Sequence, residues 1–412
     1  MRFYFAIGIL FFQIHFPLLI IDAQVTEEWI ARYDGPANFS DLGIDLALDL
    51  YGNVYVTGHS VGIGTGLDYA TIKYGNNGNQ LWVARYSGPG DGWDFPFAIS
   101  TDSYGNAYVT GAVALSSTQS ACVTIKYDSS GDTVWVAQYS TGDNRGNAGR
   151  DIAVDRTGNV FVTGASETTG TGSDYFTVKY DSSGNQIWVD RYNGTGNGGD
   201  AAYFLAIDDS GNVYASGTSV GSDGYYEGVA IKYDRNGNRR WVVHYNGPAN
   251  LDNGFNEIAV DNFGNVYVVG GSYTSPVTRD GLTFKYDSNG TELWIARYSG
   301  PDSASGFSFV ALDEMGNVYV TGSSRNNNYD HDYATIKYDS SGNELWVTRY
   351  NGLGNFDDVP YDLALDRFGN IYVTGRGFNS NNDHEYTTIK YDNIGNEVWV
   401  ALYNGPGDFD IA

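Results

Sequence analysis

The phrase "DYATIKYDSSGNELWVTRYNG" occupies Asp332 to Gly352, and a near copy, "DYFTVKYDSSGNQIWVDRYNG", occupies Asp174 to Gly194. A chain that repeats a phrase of this length is assembled from repeated structural units, so the period is the first quantity to extract. The tryptophans supply it. Trp29, Trp82, Trp135, Trp188, Trp241, Trp294, Trp346 and Trp399 stand 53 residues apart, with one interval of 52. Between successive tryptophans lies one "GN(V/A/I)(Y/F)(V/A)xG" phrase, opening at Gly52, Gly105, Gly158, Gly211, Gly264, Gly316 and Gly369. An "(I/V/F)KY" phrase follows each, with its lysine at 73, 126, 179, 232, 285, 337 and 390. Seven full units result.

Each unit reads as four short strands. In the third, "DIAVD" (Asp151 to Asp155) and "VFVTG" (Val160 to Gly164) flank the turn "RTGN". A polar, Gly-rich loop leads to "YFTVKYD" (Tyr175 to Asp181), and the turn "SSGN" leads to "QIWVDRY" (Gln186 to Tyr192). β-Branched and aromatic residues bounded by Gly, Asn, Asp and Ser clusters are the strand signature. Both turns follow Asp-x-x-Gly-Asn, with few departures, among them Gly75 and Thr291. The aspartate accepts a backbone N–H two residues on, and glycine supplies the left-handed conformation that closes a hairpin. These turns lack the alternating acids and distal glutamate of an EF-hand loop.

Four-stranded units of this period, repeated seven times, predict an all-β, seven-bladed β-propeller with four-stranded antiparallel blades. One blade cannot bury both faces alone; stacking between neighbours does so. Small residues at equivalent places (Ala47, Ser100, Ala153, Ala206, Ala259, Ala311 and Ala364) mark the innermost strand, where blades crowd together. The tryptophan strand falls at the rim. The units resemble the SBBP repeat of seven-bladed β-propellers, common in exported bacterial proteins, on "GNVYVTG", "KYDSSGN" and the following "LW", from Trp29 to Ala412. That resemblance implies the fold and an exported setting, and no catalytic residue.

The ends and the composition set the expected context. Met1-Arg2 followed by "FYFAIGILFFQIHFPLLII" reads as a signal peptide over residues 1–23, cut between Ala23 and Gln24. The remaining residues, 24–412, read as one propeller domain with no membrane span, hence a secreted or cell-surface protein. Cys122 is the sole cysteine, so no intrachain disulfide exists and a large core must supply the stability. A formal net charge of −26 argues against nucleic acid, whose phosphates need a basic surface. "EEWIARY" (Glu27 to Tyr33) is an extra tryptophan strand, expected to compete with "EVWVALY" (Glu397 to Tyr403) for the outermost place in the last blade. "FDIA" (Phe409 to Ala412) matches the opening of another innermost strand, a partial further unit.

Candidate sites follow from the departures between units. Loops joining the second strand to the third, and blade to blade, share one face and vary most, as in "HSVGIGTGL", "TSVGSDGYY" and "RGFNSNND". Variable loops on a rigid ring are where binding resides. Trp93, the one tryptophan outside the period, with Tyr225, Tyr226 and Phe378, are the ligand-binding candidates. His331 with Asp332, and His384 with Glu385, occupy matching loops of adjacent units and are candidates for a shared metal. Asp45, Asp151, Glu257 and Asp362 open the innermost strands, where Ala98, Phe204 and Phe309 stand in the intervening units. Those carboxylates would solvate the channel, hold a cation such as Ca²⁺, or serve as acid and base in sugar-bond cleavage. A further acidic set, Asp68, Asp174, Glu227, Asp280, Asp332 and Glu385, stands four places before the (I/V/F)KY motif, as a ring of cation-binding carboxylates, as loop-end hydrogen-bonding residues, or as ion-pair partners for the repeated lysine.

Three functions fit. The first is an exported, non-catalytic propeller presenting its variable loop face to a polysaccharide or surface protein. The second is an enzyme: a glycosidase-like hydrolase using the axial carboxylates, or a quinone enzyme. "KYDSSGNQIW" partly resembles the tryptophan-docking phrase of pyrroloquinoline-quinone dehydrogenases, with one residue fewer between Asp and Gly. The third is a structural module of a larger surface protein.

Overall fold

The computed structural model describes residues 27–403 apart from 91, 142–144, 355 and 380–382. The expected signal segment and the "FDIA" ending therefore lie outside the described residues. Twenty-eight strands form seven four-stranded antiparallel sheets in a ring. Each sheet is one blade whose strands pair in chain order, over residues 41–86, 95–139, 147–192, 201–245, 253–298, 305–350 and 359–403. The first strands of successive blades pack on one another, which places them at the hub and the tryptophan strands at the rim.

Blade three shows why the sequence folds this way. Its strands run Asn147–Val154, Val160–Thr168, Gly172–Tyr180 and Gln186–Tyr192. The central strands extend well into the stretch expected to be loop, because Ser166 pairs with Asp174 and Thr168 with Gly172. In the turn, Asp181 accepts from the backbone N–H of Ser183 and of Asn185, both at 2.9 Å, and from the Asn185 side chain. Gly184 then takes φ +84°, a conformation only glycine adopts freely.

Neighbouring blades lock through the tryptophans. Trp135 donates from Nε1 to the carbonyl of Ser182 in the next blade at 3.2 Å, and its ring lies on Gly184. The same pair recurs for Trp82 with Ser129, Trp188 with Arg235, Trp241 with Ser288, Trp294 with Ser340 and Trp346 with Asn393, at 3.1–3.4 Å. A Cβ on the turn glycine would come within 2.6–2.9 Å of each ring. Glycine is thus required twice over, for the backbone angle and for the neighbour's indole. The repeated lysine crosses the same boundary. Lys232 sits 5.0 Å over the Tyr214 ring and donates to the Ser288 carbonyl of the next blade at 2.9 Å.

Six clusters of buried apolar side chains lie at the six boundaries from blades one and two to blades six and seven. The boundary between blades seven and one is built differently. Blade seven is completed by its own last strand, Glu397–Tyr403, and Glu27 to Tyr33 forms no strand. The competition expected for one place is absent, because the two segments occupy different places. Residues 29–33 instead stand against blade one, with the Trp29 ring on Gly78 and Nε1 donating to the Asn76 carbonyl at 3.2 Å.

The indole-on-glycine lock predicts a graded outcome. Gly184→Ala should destabilise the protein by about 3 kcal/mol, combining a strained backbone with a clash against Trp135. Gly170→Ala, at φ +100° but with open space around it, should cost only about 1 kcal/mol. Urea unfolding of the two variants measures the difference; equal losses would remove the indole from the explanation.

Candidate functional site

The axial site begins with a bulge. Near the start of every innermost strand the pairing register slips, leaving an extra residue: Ile44 in blade one, Phe97 in blade two, Arg150 in blade three, Tyr203 in blade four, Ser308 in blade six and Tyr361 in blade seven. In blade five the slip spans Asn256 and Glu257. A bulge kinks its strand and re-aims the next side chain. The re-aimed residue is the acidic candidate or its substitute. An axial cavity of about 690 Å³ results, lined by Asp45, Asp151, Glu257 and Asp362 together with Phe97, Arg150, Phe204, Phe309 and Tyr361. Phe204 and Phe309 meet edge-to-face at 6.4 Å, and Arg150 lies 4.4 Å over the Phe97 ring.

The four carboxylates are brought into one cavity, and backbone N–H groups engage both oxygens of Asp45 and of Asp151 and one oxygen each of Glu257 and Asp362. Asp45 accepts from its own neighbour Leu46 N–H at 2.8 Å and from Ile99 N–H of the next blade at 2.8 Å. Asp151 accepts from Ile152 N–H and, in the next blade, Leu205 N–H, both at 2.7 Å. Glu257 accepts from Val310 N–H of the next blade at 2.5 Å, and Asp362 from its own Leu363 N–H at 2.7 Å. An acid in one blade therefore caps the bulged backbone of the following blade, which carries Ala98, Phe204 or Phe309 and has no carboxylate of its own. This explains the alternation of acid and non-acid along the chain as a device of two-blade stapling.

Burial sets the protonation of these groups. It pushes Asp45 up to about 6, Asp151 to about 7 and Glu257 to about 8, against the pull of the backbone donors and with help from the other axial carboxylates. Asp362 is raised for the same first reason. A carboxyl poised near neutrality suits proton transfer, yet a sugar would have to displace backbone donors to reach either oxygen of Asp45 or Asp151.

The loop-face candidates do not converge on one point. His331 holds Asp357 through Nδ1 at 2.9 Å, while the adjacent Asp332 turns inward to Arg349 at 2.9 Å. His384 stacks on Phe378 at 4.3 Å, and Glu385 is buried. Among the described residues no group of three or more His, Cys, Asp or Glu gathers in a way that could hold a metal ion. The acidic set before the lysine-tyrosine motif pairs with the repeated arginine or histidine of its own blade: Asp68 with Arg85, Asp174 with Arg191, Glu227 with His244, Asp280 with Arg297 and Asp332 with Arg349. The lysine is not its partner. In blade seven Leu402 stands at the arginine place, and burial raises the Glu385 carboxyl.

Trp93 is 69% exposed, in the connection from blade one to blade two, and stands edge-on to Phe95 at 6.2 Å. Tyr225, in a loop of blade four, and Tyr226, which opens the strand that follows it, are exposed, and Phe378 packs between Phe356 and His384. Two features escaped sequence reasoning. The bulge residues lining the axis are indistinguishable in sequence from ordinary strand residues, because every unit carries the extra position and none lacks it for comparison. On the opposite face, the tight hub turns carry Tyr51, Tyr104, Phe263, Met315 and Phe368, all exposed, at one repeated position.

Residues 345–381, from the last strand of blade six into blade seven, match the SBBP family, described as a beta-propeller repeat. The chain is 26% identical over 425 aligned residues to an uncharacterized WD repeat-containing protein of Acanthamoeba polyphaga mimivirus, covering 82% of this chain and 29% of that protein. The chain thus spans less than a third of the length of that relative. Among solved structures, a eukaryotic initiation factor superposes with a TM-score of 0.47 at 8% identity, covering 87% of this chain and 78% of that one. A lignostilbene dioxygenase of Pseudomonas brassicacearum does so with a TM-score of 0.44 at 10% identity, covering 88% and 92%.

The carboxyls predict a pH profile with a defined sign. Axial groups with raised values bind protons more tightly folded than unfolded, so their contribution is greatest below about pH 4 and is lost as pH rises through about 6 to 8. The turn aspartates Asp181, Asp234 and Asp339 are held low by the Asn185, Asn238 and Asn343 side chains, so their contribution disappears at acid pH. Thermal stability should therefore peak near about pH 5 and decline toward pH 8.5. In the double variant Asp151→Asn, Glu257→Gln the alkaline decline should flatten, as read by calorimetric Tm against pH; an unchanged slope would contradict the assignment.

Proposed function

We propose that this protein is an exported, non-catalytic β-propeller that presents its variable loop face to a partner, a polysaccharide or a cell-surface protein. The observation that carries this reading is the exposure of Trp93. Each of the eight periodic tryptophans is at least partly buried, and seven of them lie on a turn glycine, whereas Trp93 serves no blade contact of that kind and offers its indole to solvent. A large, exposed aromatic is the side chain most suited to stacking on a sugar ring or anchoring a partner. The apolar start of the sequence supports export, and the net charge of −26 favours a soluble, extracellular setting. The engagement of the axial carboxylates by backbone N–H groups supports a structural rather than catalytic hub.

A glycosidase-like reading draws on one observation, the axial cavity with carboxyls poised near neutrality. Membership of a larger surface protein, as a structural module, is compatible with the loop-face reading and draws on the much greater length of the matched relative.

A glycan array and a panel of surface polysaccharides, probed with the folded chain and with Trp93→Ala, test the proposal. Binding should fall by about tenfold or more in the variant, while Tm stays within about 1 °C because the side chain is exposed. Sugar hydrolysis that is abolished by Asp151→Asn would replace binding with catalysis.

A further inference from the structure

The boundary between blades seven and one carries the contacts of a blade that is present only at its rim. Between blades four and five and between blades five and six, the rim strands share three contacts across the boundary. The rim strand of blade five lays its tryptophan on the turn glycine of the next blade, its tyrosine accepts from the arginine of the next blade, and its own arginine reaches the tyrosine of the blade before. Arg349 donates to Tyr298 at 3.3 Å, and Arg297 likewise bonds Tyr245. Residues 29–33 make all three. Trp29 lies on Gly78 of blade one, Tyr33 accepts from Arg85 of blade one at 3.1 Å, and Arg32 donates to Tyr403 of blade seven. This segment stands where the rim strand of an intervening eighth blade would stand.

The space inside that segment has walls matching a blade's two faces. Leu46 is 58% exposed, whereas its equivalents Ile99, Ile152, Leu205, Ile258, Val310 and Leu363 are all below 9% because a preceding blade covers them. Val56 is likewise half-buried where Val109, Val162 and Val320 are fully buried. On the other wall Tyr372 and Tyr386 are half-buried, although Tyr319 and Tyr333, their equivalents in blade six, are enclosed. An opening lined by residues 29–33, Leu42, Val56, Ile72, Tyr386 and Tyr403 joins these walls.

The hub gives an independent count. Acids stand in blades one, three, five and seven, and each of the first three caps the acid-free blade that follows. Asp362 of blade seven has no such forward bond among the described residues, and blade one already has its own acid, Asp45. With seven positions two acid-bearing blades become neighbours; with eight, the alternation closes.

We infer that the opening is a docking site for a three-stranded β-element written in this same repeat, with an uncharged residue at the axial acid position, which completes an eighth blade on the rim segment Trp29 to Tyr33. Its first strand would offer a bulged N–H to Asp362, and its faces would cover Leu46 and Val56 on one side and Tyr372 and Tyr386 on the other.

The test appends a copy of residues 202–238, the first three strands of blade four with Phe204, directly behind Ala412. The spacing from Tyr403 to Ala412 equals that from Tyr192 to Ala201, so register is kept. Leu46→Cys supplies a reporter thiol against a silent background, since Cys122 is buried. Maleimide should label this thiol as an exposed one in the unextended chain and at least about tenfold more slowly in the extended chain. Tm should rise by about 5 °C or more. An extension carrying Asp at the Phe204 place should protect less, because it sets a third acid between Asp362 and Asp45. Circular dichroism confirms folding, and Leu48→Cys serves if the first reporter misfolds. Protection in the unextended chain at every dilution would mean that blades seven and one close on each other. Protection that appears only with a dimeric mass would assign the opening to a second copy. Unchanged labelling on extension would also overturn the inference.

Discussion

One contact underlies this architecture: an indole laid flat on a glycine that belongs to the next blade. It requires a left-handed backbone and the absence of a side chain at the same atom, and it adds a hydrogen bond from Nε1 to the turn carbonyl. The lysine stacked on the GN-phrase tyrosine reaches the same carbonyl region, so two side chains from one blade grip one turn of its neighbour. The turn must therefore be rigid before the neighbour arrives. The aspartate that accepts two backbone N–H groups and the asparagine amide makes it so. Local turn chemistry and long-range packing thus act on the same five residues.

The hub obeys a different constraint. Bulging each innermost strand frees a backbone donor near the axis, where a buried and unpaired donor is costly. One carboxylate answers two such donors by bridging adjacent blades, which is why three of the seven units can dispense with an acid. Burial, with a smaller contribution from neighbouring carboxylates, raises the proton affinity of Asp151 and Glu257, so the hub is most comfortable partly protonated. The rim and the hub therefore respond oppositely to acid.

Much of this was legible in the sequence because repetition multiplies weak signals. A single "DSSGN" is an ambiguous turn; its recurrence before Trp at a fixed spacing identifies blade, order and rim strand. The small hub residues Ala47 to Ala364 were equally readable, since crowding is a one-residue constraint. Pairings across blades were not. That Asp174 meets Arg191 and not Lys179 depends on which strand faces which, and that Asp151 serves Leu205 depends on a bulge that has no compositional mark. The place of Trp29 was ambiguous for a similar reason: its phrase states what it can dock on, but only geometry shows which turn glycine is free to receive it.

The shared carboxylate also bears on how such a ring arose. Because an acid-bearing blade serves an acid-free successor, the unit that is chemically self-sufficient at the axis is a pair of blades. Gene duplication that copied pairs would preserve every staple, whereas gain or loss of a single copy would leave either two repelling acids or an orphaned amide. The unit that closes chemically at the axis thus spans two repeats, a grammar written at twice the visible period.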